Sequence, residues 1–440
     1  MRKPVVRGIR RFRNKPTGNN PLKLKKKYRL GAAWAGNSVN CVPFRTDAVR
    51  TVGNRRYVSY FDQEGDVVVA AIDLRNGAVQ KSVVPNARKP RDAHQAISMG
   101  IDANGICHLA FGAHNSSLLL TRSRSDRLGD GFTELTQHHS LATYPMFLRV
   151  AGGELILLSR RGRHFDGEIL VDRLSPALDW QSDSEPLLNG SGSPWPCGPY
   201  LNTPVVTPEG NVFLFVVWRL RPEATSAGAV VNVGIDALAS RDNFRTLQTL
   251  SGIKLTLPVS PATSERIIAV PMGANLINQA SAAMLPDGMP AVVTYWADAD
   301  CVPQYRLCWP LGGTWQIAKA SNFTTKFKLD GRGTLPLPHS RPEIVVRSDG
   351  RALVIYRTRE TGNTLNAVEL TPPSYSLAKA RHQVLVAEDL GHYEPILDRS
   401  AWREKSEVVL YVQACKQSLD GDRMRANASS EASIVCFEWN

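Results

Sequence analysis

The chain has 440 residues, 43% of them hydrophobic and 21% charged, enough apolar side chain for a large buried core in one domain or several. Its formal charge of +13 suggests a polyanion partner, but twelve Lys and Arg and no acid fall within residues 1–29. That leaves 41 bases against 40 acids, so no nucleic acid is expected on the body of the protein.

Residues 1–29 carry Pro4, Gly8, Pro16, Gly18 and Pro21 with few large apolar side chains, the composition of a solvated basic tail. A tether to an anionic polymer or lipid surface is the alternative. No apolar stretch follows these charges to make a secretory signal, and no run of about 20 apolar residues predicts a membrane-spanning helix. Localisation is left open.

From residue 53 onward one unit recurs: a turn, then an alternating or β-branched run. Gly53 precedes 57–61, Gly105 precedes 106–111, Gly153 precedes 155–160 and Gly210 precedes 212–218. Gly288 precedes 291–296, Gly350 precedes 352–357, and Glu404-Lys405-Ser406 precedes 408–412. Gly or Asn in such turns accepts the positive φ that a tight hairpin demands. Seven units of several short strands, without helical periodicity, predict an all-β seven-bladed β-propeller in a single domain spanning residues 30–440. The long step between Gly210 and Gly288 predicts insertions at 221–235 and 253–273. Within it, Ser240-Arg-Asp242-Asn-Phe244-Arg-Thr246-Leu247 is a degenerate Asp-box turn. The apolar run 433–439 is expected to close the ring against an early strand around Val39 to Phe44.

The seven cysteines are odd in number and widely spread, which argues against a disulfide framework. Cys301 and Cys308, with Asp298, Asp300 and His339, give a weak hint of a structural zinc or calcium ion. No cofactor is otherwise expected.

The polar residues at strand ends carry the chemistry. His94 lies just before one strand and His114 just after the next, which puts both imidazoles on one rim of a hairpin. Tyr144 enters the following unit and Arg160 leaves it; Tyr200 and Asn202 enter the next and Arg219 leaves it. Each histidine could be a structural core residue and each arginine a solvated surface group. Together they would line a cationic cleft suited to carboxylates or sulfates.

These stretches resemble the BNR-4 repeat family, which includes polysaccharide lyases of the ulvan lyase type. The resemblance rests on Ala35-Gly-Asn-Ser-Val-Asn40, Arg91-Asp-Ala-His94, His108-Leu-Ala-Phe111 with His114, Thr143-Tyr-Pro145 and Val217-Trp-Arg219. It continues through Leu276-Ile-Asn-Gln279, Val302-Pro-Gln-Tyr305, Ser340-Arg-Pro342 and Tyr393-Glu-Pro395.

It implies catalysis by His94, His114, Tyr144 and Arg160, with Tyr200, Asn202, Arg219, Arg341 and Asn278 holding sugar or sulfate. The implied reaction is β-elimination on a uronate-containing anionic polysaccharide, with or without sulfate, by a monomeric enzyme. Arg160 would neutralise the carboxylate, and His94 and Tyr144 would move protons in an order left open. Family members are usually exported. The chain departs from the family at Gly112-Ala113-His114-Asn115-Ser116, where Asp-His-His-x-His is common, and at Ser159 and Arg161, where Tyr and Asp are common. Two alternatives remain: a non-catalytic propeller that binds glycan or protein, and a sialidase-like hydrolase using Glu168 or Glu394.

Overall fold

Each of the seven turn positions adopts a positive φ, from 54° at Gly53 and Ser406 to 85° at Gly210, and each introduces a strand. These strands are Arg55–Phe61, Cys107–Phe111, Leu155–Arg163, Val212–Leu220, Pro290–Ala297, Ala352–Thr358 and Glu407–Val412. They belong to a computed structural model that describes residues 20–191, 196–220, 230–331, 333–418 and 428–440. Among the described residues the protein is all-β, with one short α-helix, Arg399–Lys405.

The strands form antiparallel sheets in chain order. A four-stranded meander covers residues 49–83. An eight-stranded sheet follows, in which the long strand Thr136–Arg149 is shared: its first half pairs with Ser116–Arg122, its second with Leu155–Arg163. A seven-stranded sheet covers residues 197–268, and two further four-stranded meanders cover 281–319 and 343–386. The last sheet unites the chain ends: Leu22–Trp34 pairs with Ser429–Trp439, which pairs with Glu407–Val412 and then Ile396–Leu397. Among the described residues no sheet closes on itself.

The cores explain why the central strands read as unbroken apolar runs rather than simple alternation. Leu109 and Phe111 pack toward the first sheet, while Ala110 between them packs toward Leu155 and Leu157. Leu214 and Val216 pack against Ile156 and Leu158, while Phe215 and Val217 face Val292 and Cys308. Val354 meets Val293 and Leu307; its neighbours Leu353 and Ile355 meet the closing sheet. That closing sheet also packs Leu410 and Ile434 into one core with Val58 and Ala70 of the first.

Three expectations change. The C-terminal strand pairs not with Val39 to Phe44 but with Leu22–Trp34, from Leu22↔Trp439 to Trp34↔Ser429. Residues 39–44 form turns, braced where Asn40 bonds to the backbone of Trp34 and Phe61. The strand begins inside the stretch read as a tail ending at residue 29. Leu22, Tyr28 and Leu30 are buried while Lys23, Lys25 and Lys27 point outward, and lysine on an edge strand discourages pairing with a further chain. The rest of the expected tail, residues 1–19, lies outside the described residues.

The expected metal cluster also does not form. Cys301 is exposed, Cys308 is a core residue, and His339 is stacked on Phe323 and bonded to Thr358. All seven cysteines are free. Of the expected insertions, 221–229 lie outside the described residues, whereas Glu265–Ile268 adds a strand to Asn232–Ser240. The Asp-box turn is intact despite its sequence: Asp242 accepts from Thr246, and Phe244 takes φ 66° where glycine is usual.

Candidate active site

His94 sits in the 3-10 turn Ala93–Gln95, and Asp92 caps that turn by accepting the His94 amide at 2.6 Å. The same carboxylate lies 2.9 Å from His94 Nδ1 and binds His114 Nδ1 through its other oxygen. The two imidazoles stack with centroids 3.9 Å apart and planes within 12°. Thr334, from a distant part of the chain, reaches His94 Nδ1 at 3.2 Å. Burial opposes the charge on Asp92, but hydrogen bonds from His114 and His94 outweigh it and hold the carboxyl well below its ordinary pKa.

The hairpin rim anticipated from the sequence therefore brings the two histidines together. A chain of rings continues from them. Phe44 packs on both His94 and Tyr144, Tyr144 lies 5.6 Å from His94, and Tyr200 lies 5.9 Å from Tyr144. Arg160 and Arg219 then sit over the Tyr200 ring, at 4.8 Å and 4.2 Å from its centroid. His94 and Arg160 thus share one face of the molecule. Tyr144 holds a positive φ of 55°, which for a bulky side chain is an uncommon conformation of the kind that clusters at functional sites.

The two phenols differ in charge preference. Burial, and next Tyr200, push the Tyr144 pKa far above the ordinary phenol value, and Arg219, Arg160 and Arg341 do not offset this. Burial raises Tyr200 as well, but Arg219 first, then Arg160 and His94, bring it below the ordinary value. Arg219 Nη1 donates to the Tyr200 hydroxyl at 3.2 Å. Its other nitrogens are fixed by Asn232 at 3.1 Å and Asn278 at 3.0 Å. No carboxylate pairs with Arg219 among the described residues.

Arg160 is committed differently. Its guanidinium donates to the carbonyls of Pro199, Gly162 and Arg163, and only 3% of the residue is exposed. Gly167 and Gly198 leave the space it fills; a Cβ on either would collide with it. Arg341 binds Glu394 at 2.6 Å and the Asn278 carbonyl at 2.9 Å, so Asn278 links it to Arg219. Asn202 is completely buried and holds the Ala280 amide; the structure does not bring it to the cleft. Arg161, which stands where the family commonly has Asp, is paired with Glu168.

Sequence reasoning gave no role in the site to Asp92, Asn232 or Phe44. Asp92 had a readable signal, an acid two residues ahead of a histidine at a turn start. The two acids proposed for a sialidase-like reaction, Glu168 and Glu394, are each held in an ion pair with arginine. Asp92, His94 and His114 also place three ligand atoms close enough for one metal ion.

Residues 55–323 match the BNR repeat-containing family. The chain belongs to that family. No curated protein matches it. Among solved structures, the polysaccharide lyase Uly1 aligns over 95% of this chain and 100% of its own, with TM-score 0.67 and 12% identity. An ulvan lyase of polysaccharide lyase family PL25, bound to -[GlcA(1-4)Rha3S]-, aligns over 92% of this chain and 95% of its own, with TM-score 0.68 and 12% identity. At that identity the likeness shows a common fold.

Proposed function

We propose that this member of the BNR repeat-containing family is a polysaccharide lyase that cleaves a uronate-bearing anionic glycan by β-elimination. The observation that carries the proposal is a phenol whose ring two guanidiniums overlie, Tyr200 with Arg160 and Arg219, beside two imidazoles on one carboxylate. The fold shared with the polysaccharide lyase Uly1 and with an ulvan lyase bound to -[GlcA(1-4)Rha3S]- supports it. The same reading takes the sheets as seven four-stranded blades, the shared strand Thr136–Arg149 counting for two, arranged in a ring. Cores that link each set to the next, and the last to the first, support that arrangement.

β-Elimination needs three groups. A cation must neutralise the uronate carboxylate so that the C5 proton becomes acidic, a base must remove that proton, and an acid must protonate the departing C4 oxygen. Arg219 is the better neutraliser, because it is partly exposed, whereas Arg160 is buried among backbone carbonyls and Arg341 is paired with Glu394. Tyr200, whose pKa Arg219 and then Arg160 lower against the effect of burial, is the candidate base. Arg160 then supports Tyr200 instead of touching substrate. Tyr144 keeps its proton and is placed to position the sugar or donate to the leaving oxygen. His94, held by Asp92, is the other candidate donor. The C5 proton passes to Tyr200, the C4–O bond breaks, and a C4–C5 double bond remains on the new non-reducing end.

Incubation with ulvan, glucuronan, heparinoid and gum glycans tests this directly. A rise in ultraviolet absorbance from the unsaturated uronate is expected on at least one of them. New reducing ends without that absorbance identify a hydrolase; retention on the polymer with neither signal identifies a binding module.

A further inference from the structure

A second imidazole–carboxylate cluster lies apart from the cleft and shares no residue with it. His138 and His139 are consecutive in the strand Thr136–Arg149, and consecutive strand residues normally point to opposite faces. Here they do not. Pairing runs Leu118↔His138 and then Ser116↔Ala142, so residues 139–141 bulge out of register, with φ of 41° at His139 and 56° at Leu141. A bulge of this kind re-aims a side chain. Both Nε2 atoms consequently face one carboxylate: His138 Nε2 lies 2.9 Å from Asp172 Oδ1, and His139 Nε2 lies 3.0 Å from each Asp172 oxygen. Ser182 donates to Oδ1 at 2.6 Å.

Asp172 is fully buried, and among the described residues its only ion-pair partners are these two histidines. Neutral imidazoles leave the buried negative charge uncompensated, which is costly. A divalent cation removes that difficulty. It takes the unprotonated Nε2 atoms and one carboxylate oxygen as ligands, and their mutual spacing suits bonds near 2 Å. The side chains of His138 and His139 are 20% and 11% exposed, which leaves a solvent side for water as a fourth ligand.

We propose that His138, His139 and Asp172 bind a structural transition-metal dication of the zinc class. Two imidazoles with a single carboxylate favour zinc over calcium, which prefers six or more oxygen ligands. The ion ties the first half of Thr136–Arg149 to Asp166–Leu174, two strands further along the same sheet. It would brace the bulge where that long strand passes from one set of partners to the next.

The test uses untagged full-length protein, stripped with EDTA, dialysed and titrated with zinc sulfate by calorimetry while Tm is followed. One tight zinc per chain and a raised Tm are expected, with no comparable effect from calcium chloride. His139→Ala should weaken zinc binding more than about 100-fold, beyond the loss typical of a supporting partner, and abolish the Tm gain. His138→Ala should do the same, and both keep the buried carboxylate should Asp172→Asn fail to fold. His114→Ala, which disrupts the other candidate ligand group, should still bind zinc. The proposal is overturned by a wild-type Tm that zinc does not move, by His139→Ala binding zinc as wild type does, or by zinc binding lost in His114→Ala instead.

Discussion

Asp92 and Asp172 each gather two imidazoles, and the surroundings separate them. Around Asp92 the rings stack in parallel 3.9 Å apart, and a path of phenols and guanidiniums leads on from them. Around Asp172 the rings tilt by 53°, and among the described residues a serine hydroxyl is the one further hydrogen-bond partner of the carboxylate. Two histidines on an aspartate are therefore not a site in themselves. What makes the first cluster a candidate for chemistry is that groups of opposite proton preference meet beside it, whereas the second fastens one strand to another.

The largest expected effects lie on the Asp92 side. Tyr200→Phe should lower kcat/KM for elimination by about a thousandfold, within the range for losing a general base, with Tm little changed. Tyr144→Phe should cost distinctly less; equal losses would assign the base wrongly. Arg219→Gln should lower the rate and also move the rising limb of the kcat/KM–pH profile upward. The sign follows from its cause: Arg219 lowers the Tyr200 pKa, a base acts only when deprotonated, and removing the cation raises the pH at which that happens.

On the Asp172 side the expected loss is in stability. His139→Ala leaves a buried carboxylate short of a hydrogen-bond partner and should cost about 2 kcal/mol, read as a lower Tm. A large fall in Tm from Tyr200→Phe, or a shifted pH profile from His139→Ala, would erase the distinction between the two clusters.

Much of this arrangement was legible in the chain, for physical reasons that also set its limits. Turn residues that tolerate positive φ, each followed by an apolar run, located all seven central strands. The hairpin from His94 to His114 had a length that forces its open ends together. The strand Leu22–Trp34 was hidden because its outward lysines dominate its composition, while only a few inward positions carry the pattern. The roles of the arginines were hidden for another reason. Arg160 and Arg219 look alike at strand ends, and only the fold shows the carbonyls of Pro199, Gly162 and Arg163 gathered on Arg160. The opposite preferences of Tyr144 and Tyr200 depend on which phenol the cations reach, which spacing along the chain does not encode.

A fifth imidazole, in a third setting, sharpens the comparison by lacking a close carboxylate. His339 is 1% exposed, stacks on Phe323, and has Glu360 no nearer than 4.0 Å. Burial lowers its pKa to about 4, against a weaker opposing pull from Glu360. Because the folded pKa lies below the unfolded value, near 6.5, the unfolded chain binds the proton first as pH falls. Stability attached to His339 is therefore complete above about pH 6.5 and declines as pH falls toward 4. By pH 5 the loss amounts to at most about 2 kcal/mol, at 1.36 kcal/mol per unit. Asp92 has the same sign in a more acidic window: its carboxyl is depressed, so its contribution is complete above the ordinary carboxylate value and is lost only as pH falls below it. Chemical denaturation at pH 7 and pH 5 separates the two. His339→Gln should lose less stability over that interval than wild type, and an identical loss in both proteins would mean that another group governs the acid limb.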